Sequence, residues 1–329
     1  MNKRRRLHAL AGYAAAANLL IGAVPAAAAK AECSSSVPGA APIDPSISLR
    51  SRVGPPSPLV LDTYRKAGAA DVAEHPLTDR EWKQVDAALA SLPPFQMEVL
   101  KRHLRRISFV SATTSMGTAL TSAAETCSEL PQFDITLRST LFTDDLTTFL
   151  NRKEQGLFED DGSGYRVQIQ AGKMSALPYI LLHEGTHVVD LALGIGALSP
   201  NAFRDGVWSK GRDFAPTYSS NAINGILWRG GKKIPLARAK DLYRELRVTP
   251  FVSNYAATAP GEDLAETLAW QQLSTRYRVK LRVRVRDGTG KRIYELEPLK
   301  SPLVKARFAA VEELLAGTIT PAARISTQN

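Results

Sequence analysis

Leu181-Leu182-His183-Glu184-Gly185-Thr186-His187-Val188-Val189-Asp190 is the stretch that decides how the rest of the chain is read. It contains H-E-x-x-H. On a helix, residues four apart lie on one face, so the imidazoles of His183 and His187 can reach a single zinc ion at about 2.0–2.1 Å. Glu184 follows the first histidine by one residue and so sits beside the metal rather than on it, where a base for an attacking water is needed. Ile180, Leu181, Leu182, Val188, Val189 and Leu191 supply an apolar shell around such a site. Gly185 costs a helix about 1 kcal/mol relative to alanine. The expected return is space next to the metal.

A catalytic zinc needs a third protein ligand and an open position. The chain has five histidines, and none follows His187. His8 lies in a leader-like segment, while His75 and His103 are upstream and read as surface or structural residues. The absence of a later histidine excludes the metzincin pattern, so the third ligand is expected to be a carboxylate. The best source is Ser253-Asn254-Tyr255-Ala256-Ala257-Thr258-Ala259-Pro260-Gly261-Glu262-Asp263-Leu264-Ala265-Glu266. Glu262 and Glu266 fall four apart on one helix face. One can bind zinc while the other accepts the free N–H of a zinc-bound histidine. An acidic first turn favoured by the helix dipole explains Glu262 and Asp263 equally well, but explains Glu266 less well. Glu262 is favoured as the ligand because it comes earlier on its helix. Glu266, flanked by Ala265 and Leu268, is the more apolar in its surroundings.

Together, H-E-G-T-H-V-V-D and the later S-N-Y-A-x-T-x-P-x-E-D-L-A-E resemble the gluzincin metallopeptidases. The nearest resemblance is to the catalytic domain of anthrax lethal factor and its bacterial relatives. The likeness covers mainly residues 180–190 and 253–270. It implies a zincin-like α+β fold, zinc held by His183, His187 and Glu262, and Glu184 as base. It also implies that Tyr255, seven residues before Glu262, assists at the oxyanion. No toxin-delivery domain accompanies the motifs, so the relatives' substrates do not carry over.

Outward from the motif, the expected class is α+β, with helices packed on a small mixed sheet and the motif on a central helix. Helices are expected at Thr78–Ala90, where Thr78 and Glu81 form a capping box, at Phe95–Arg105 and at 141–153. Others are expected at Ser175–Leu193, closed by Gly194, at Leu236–Leu246, at Pro260–Arg276 and at Pro302–Ala316. Strands are expected at Ile107–Ala112, Phe133–Arg138 and Tyr165–Ala171. The last is either an edge open to an extended peptide or an interior strand. Residues 280–297 read as a hairpin around Asp287-Gly288-Thr289-Gly290. Its cations Arg282, Arg284, Arg286, Lys291 and Arg292, like the cluster Lys101, Arg102, Arg105 and Arg106, read as solvated faces, with contact to an anionic envelope surface as the alternative for the hairpin. Trp208 and Trp228 either pack in the core or line a cleft.

The N-terminus has the layout of a secretory signal peptide. Lys3, Arg4, Arg5 and Arg6 precede an apolar run from Leu7 to Val24, then Pro25 and Ala26 to Ala29. Cleavage after Ala29 or Ala31 fits, and the arginines leave twin-Arg export open. Residues 30–76 are expected to be a Pro/Ser-rich linker, with a catalytic domain over 77–329. The net charge of +10 owes four cations to the leader, leaving 38 basic and 32 acidic groups. So mild an excess gives no reason to expect a nucleic-acid partner, and no later segment is long and apolar enough to span a bilayer. Cys33 and Cys127 are expected to pair in an oxidising compartment. The functional expectation is an exported or periplasmic enzyme with one zinc per chain that cuts a protein or peptide. The alternatives are a zinc hydrolase acting on a cell-wall or other non-peptide bond, and a non-catalytic zinc-stabilised binding protein.

Overall fold

The computed structural model describes residues 43–113, 117–124, 130–219 and 221–325, with side chains up to residue 316. The leader and both cysteines lie outside the described residues. In chain order the elements are α1 (Pro58–Lys66), β1 (Ala73–Glu74), α2 (Asp79–Leu89), α3 (Pro94–His103), β2 (Leu104–Ser111), β3 (Ala119–Ala123) and β4 (Phe133–Arg138). Then come α4 (Leu146–Gln155), β5 (Phe158–Glu159), β6 (Arg166–Gln170), α5 (Ala176–Leu193), β7 (Ile234–Pro235), α6 (Ala239–Arg247), α7 (Pro260–Arg276), β8 (Arg282–Arg286), β9 (Arg292–Leu296) and α8 (Pro302–Ile325). The class is α+β, as expected, with helices packed on small sheets.

The main sheet is mixed, in the order β1-β2-β4-β3. β2 and β4 run parallel, and β3 closes the edge antiparallel to β4. Alternation sorts its residues by face. Ile107, Phe109, Phe133, Ile135 and Leu137 join the large core beneath α5, while Val110 joins Val60, Tyr64, Ala69 and Val72 on the opposite face.

α5 is the centre of the molecule. Ser175 caps its first turn, and Gly194 ends it at φ 63°, a left-handed conformation that glycine adopts without a Cβ penalty. Every residue from Leu177 to Val189 except Pro178 is buried. The helix packs against α2, α3, α4, α7, β3 and β4. That all-round burial removes the amphipathic stripe an ordinary surface helix would carry. Each fully buried Leu, Ile or Val stabilises by about 1.5–3 kcal/mol, so the backbone that carries His183 and His187 is firmly held.

Two sequence expectations need correction. Residues 49–74 were expected within the linker, yet they fold. Ser57 caps α1, with Pro58 at its first position, and Val60 and Tyr64, four apart, bury one apolar face. Arg52 donates to the carbonyls of Leu100, Lys101 and Leu104, capping the end of α3. Proline-rich composition here marks a helix start rather than a mobile tether. Secondly, α3 ends at His103, so Arg105 and Arg106 belong to β2. Arg105 is not part of a solvated helix face but forks onto buried Asp134.

Smaller differences follow from burial. β3 was not anticipated, and α8 runs on to Ile325. β6 is an edge strand of a separate antiparallel sheet, β6-β8-β9. Its outward groups at Ile169 are taken by the Asn151 amide, which leaves that stretch of edge closed to an added strand. Among the described residues, no helix is long and apolar enough to cross a membrane.

Candidate metal centre

His183 and His187 project from the middle of α5, and Glu262 projects from the first turn of α7, which lies across it. Pro260 begins α7 at a position where its missing N–H costs nothing, and Glu262 follows in the turn whose free N–H groups favour a carboxylate. His183 Nε2 lies 3.0 Å from Glu262 Oε2, His187 Nε2 lies 3.2 Å from His183 Nε2, and His187 Nε2 lies 3.6 Å from Glu262 Oε2. All three residues are buried.

These separations test whether the residues fit a metal. Three ligands of a tetrahedral zinc, each about 2.0–2.1 Å from it, stand about 3.3–3.4 Å apart. The observed distances bracket that value. Electrostatics agree. Burial pushes the His183 imidazole down, but Glu262 and Glu266 outweigh it and bring its pKa to about 10. His187 is raised against burial, chiefly by Glu262. Glu262 itself lies well below the usual carboxylate range, because the two histidines outweigh its burial. The cluster therefore favours positive charge at its centre, whether carried by protons or by a divalent cation. The donor set fits zinc.

Glu266, one turn beyond Glu262, faces the other side of His183. Its Oε1 lies 3.4 Å from His183 Nδ1. It accepts hydrogen bonds from Tyr179 Oη, from Ser253 Oγ at 2.8 Å and from Trp270 Nε1 at 3.3 Å. Burial pushes this carboxyl up, but Lys153, His183 and Tyr179 outweigh it and hold it at about 2. The three donor atoms that converge thus come from His183, His187 and Glu262, and Glu266 is turned away from them. On the far side of His187, Asp190 and His187 Nδ1 both pack against Gly261.

Glu184 points to the opposite flank of the site, toward β3. Thr121 Oγ1 donates to its Oε2 at 2.7 Å. Nothing in the sequence marked Thr121, because its strand is short and weakly patterned. Tyr255 lies beside the histidines, its ring centroid 5.9 Å from that of His183 and 5.4 Å from that of Trp228. Burial and the carboxylates of Glu262, Glu184 and Glu266 push its phenol well up, keeping it protonated. Lys153, also unmarked by sequence, places Nζ 3.2 Å from the Tyr255 ring centroid and 3.7 Å from Glu266 Oε1. A cation over a ring face is held by the ring quadrupole.

The space at Gly185 does not serve the metal, as the sequence implied. A Cβ there would meet Gln96 Nε2 of α3 at 2.6 Å. The glycine instead admits the fully buried Gln96 amide, which donates to Leu182 O at 2.8 Å and Thr186 Oγ1 at 3.2 Å. Trp208 is a core residue whose Nε1 donates to Asp263, whereas Trp228 is half-buried against Tyr255. His75 and His103 lie outside the cluster, bonded to Glu81 and to the Pro131 carbonyl.

No known protein-family profile matches the chain, and no curated protein matches it. Among solved structures, it is similar to the crystal structure of a putative zinc-binding metallo-peptidase from Bacteroides caccae. The identity is 16%, 75% of this chain and 78% of that chain are covered, and the TM-score is 0.33.

Proposed function

We propose that this protein is an exported zinc metallopeptidase of gluzincin type, in which His183, His187 and Glu262 hold one zinc ion. The observation that carries the proposal is the convergence of those three donors at zinc-like spacing, with Glu184 immediately alongside. When bound, zinc supplies Lewis acidity to the scissile carbonyl and to water. Glu184 takes the proton of the attacking water and returns it to the leaving nitrogen. Thr121 fixes one oxygen of that carboxylate and leaves the other for the water. Tyr255, protonated and packed between Lys153 and Trp228, donates to the oxygen on which negative charge develops. Glu266 orients His183 through Nδ1.

β3 offers a place for an extended substrate. It is an edge strand that carries Thr121 on the face toward Glu184, and no strand covers its outer side among the described residues. An unpaired edge beside a catalytic base can align a peptide by backbone hydrogen bonds alone. β3 thus takes the part that the sequence left open for the Tyr165–Ala171 strand, as an edge for an extended peptide.

The test is metal analysis of the purified protein, then digestion of a peptide library with and without chelator. One equivalent of zinc with chelator-sensitive peptide cleavage is expected. Zinc retention with no cleavage of any peptide would instead favour a hydrolase of cell-wall or other non-peptide bonds. Competitive zinc titration separates the two glutamates. Glu262→Ala should empty the site, while Glu266→Ala should weaken it by about 10–100-fold. The reverse order would overturn the ligand assignment. N-terminal sequencing of secreted material should begin at Lys30 or Glu32.

A further inference from the structure

A second concave feature lies far from the metal centre. A groove of about 520 Å³ opens between residues 170–174, which lead into α5, and residues 277–282, which join α7 to β8. It lies at the opposite end of α7 from Glu262, about 20 Å away along the helix. Lys173, Arg278, Lys280 and Arg282 line it, with Met174, Tyr277 and Val279, and no carboxylate is among the lining residues. Of the four cations, Arg282 lies 3.6 Å from Glu295 and 3.5 Å from Glu297.

Two further features, one in the groove and one further along β8, break local rules. Arg278 has φ 54°, and among the described residues it is the one non-glycine residue with positive φ. A left-handed conformation costs an ordinary side chain about 1 kcal/mol or more, and here the cost turns the chain so that Arg278 lines the groove. Beyond Arg282, the alternation of β8 puts Arg284 and Arg286 on the same face. Arg286 stands directly opposite Arg166 of β6, and like charges in that position are destabilising. Among the described residues, Arg286 is held by neutral acceptors, Gln168 Oε1 at 3.0 Å and Gly290 O at 2.8 Å. Arg284, between Arg282 and Arg286, is paired with Glu295 at 2.6 Å, and Arg286 stands about 13 Å along β8 from the groove. Neither the strained backbone nor the opposed arginines help the fold by themselves. An anionic ligand in the groove would offset the strain at Arg278, while the opposed arginines lie about 13 Å further along β8.

We propose that this groove binds a ligand carrying two or more phosphoryl groups, held by Lys173, Arg278, Lys280 and Arg282. Arg282 is shared with Glu295 and Glu297, and the other three lining cations still call for more than one negative charge. Guanidinium groups match phosphate oxygens in a bidentate fork. Met174, Val279 and the exposed ring of Tyr277 provide an apolar wall for the organic part of such a ligand. A soluble polyphosphate and an anionic lipid headgroup share this chemistry.

The experiment is calorimetric titration of the purified protein with tripolyphosphate at low ionic strength, alongside co-sedimentation with phosphatidylglycerol–phosphatidylcholine vesicles. The wild-type protein should bind tripolyphosphate. Lys173→Ala with Lys280→Ala should weaken binding by about 100-fold, roughly tenfold per lost charged contact. Arg278→Gly should lose about tenfold in affinity with no loss of thermal stability, because glycine keeps the positive φ without strain. Vesicle binding that tripolyphosphate displaces would identify a lipid headgroup as the source, and tripolyphosphate binding without vesicle binding would identify a soluble phosphate. The proposal is overturned if tripolyphosphate does not bind, or if it binds the double variant as tightly as the wild type.

Discussion

Replacing Gly185 by alanine should destabilise the protein, although the same change in an exposed helix would stabilise it. Removing a mid-helix glycine gains about 1 kcal/mol. Against this, the new Cβ would stand 2.6 Å from Gln96 Nε2, 3.1 Å from its Cδ and 3.3 Å from Leu100 Cδ1. The far end of a side chain can usually swing aside at little cost. Gln96 cannot, because it is fully buried and its amide is bonded to Leu182 O and Thr186 Oγ1. Stripping a buried amide of its partners costs about 1–3 kcal/mol, and forcing extra volume into a packed core costs about 1–3 kcal/mol more. The net expectation is a loss of about 1–5 kcal/mol. Urea unfolding in the presence of chelator measures it without a contribution from bound metal. In a Gln96→Ala background the two closest contacts disappear and the 3.3 Å approach to Leu100 Cδ1 remains, so Gly185→Ala should there be near neutral or stabilising by up to about 1 kcal/mol. An equal cost in both backgrounds would refute the argument, as would a more stable single variant.

Glu184→Gln should keep about one equivalent of zinc and lose about 10²–10⁴-fold in peptide hydrolysis. Loss of zinc as complete as in His183→Ala would contradict its role as base. Thr121→Val should leave zinc content unchanged and lower kcat by about 10–100-fold, the worth of one hydrogen bond to a charged group, and unchanged kcat would show that Glu184 is held by other contacts. Asp145 caps α4, and its carboxyl is lowered first of all by the Thr148 backbone N–H. A lowered folded-state pKa means that the stabilisation is present above the ordinary carboxylate value and is lost as pH falls through the folded one. Asp145→Ala should therefore cost about 1 kcal/mol at pH 7, shrinking below about pH 4, as followed by urea unfolding across that range.

Periodicity and short-range chemistry determined a good deal of this protein. Four-residue spacing on a helix does not depend on what surrounds the helix, so His183 and His187 were bound to share a face once α5 formed. Glu262 and Glu266 were likewise bound to share a face of α7. Capping chemistry is equally local, and Thr78, Ser175 and Gly194 marked the ends of their helices where the structure has them. Chain order alone does not state how α7 crosses α5. Only that crossing brings Glu262 to the imidazole Nε2 atoms and turns Glu266 to the other side of His183. The contacts between distant elements are of the same kind. Thr121 reaches Glu184 from a five-residue strand with little alternation of its own, and Lys153 reaches Tyr255 across about 100 residues of chain. At Gly185 the sequence revealed an unfavourable choice but not its cause, because the atom that needs the room belongs to Gln96, on another helix. Local rules act within a few residues. A metal site is assembled by packing between segments far apart in the chain, and packing is decided by the tertiary structure.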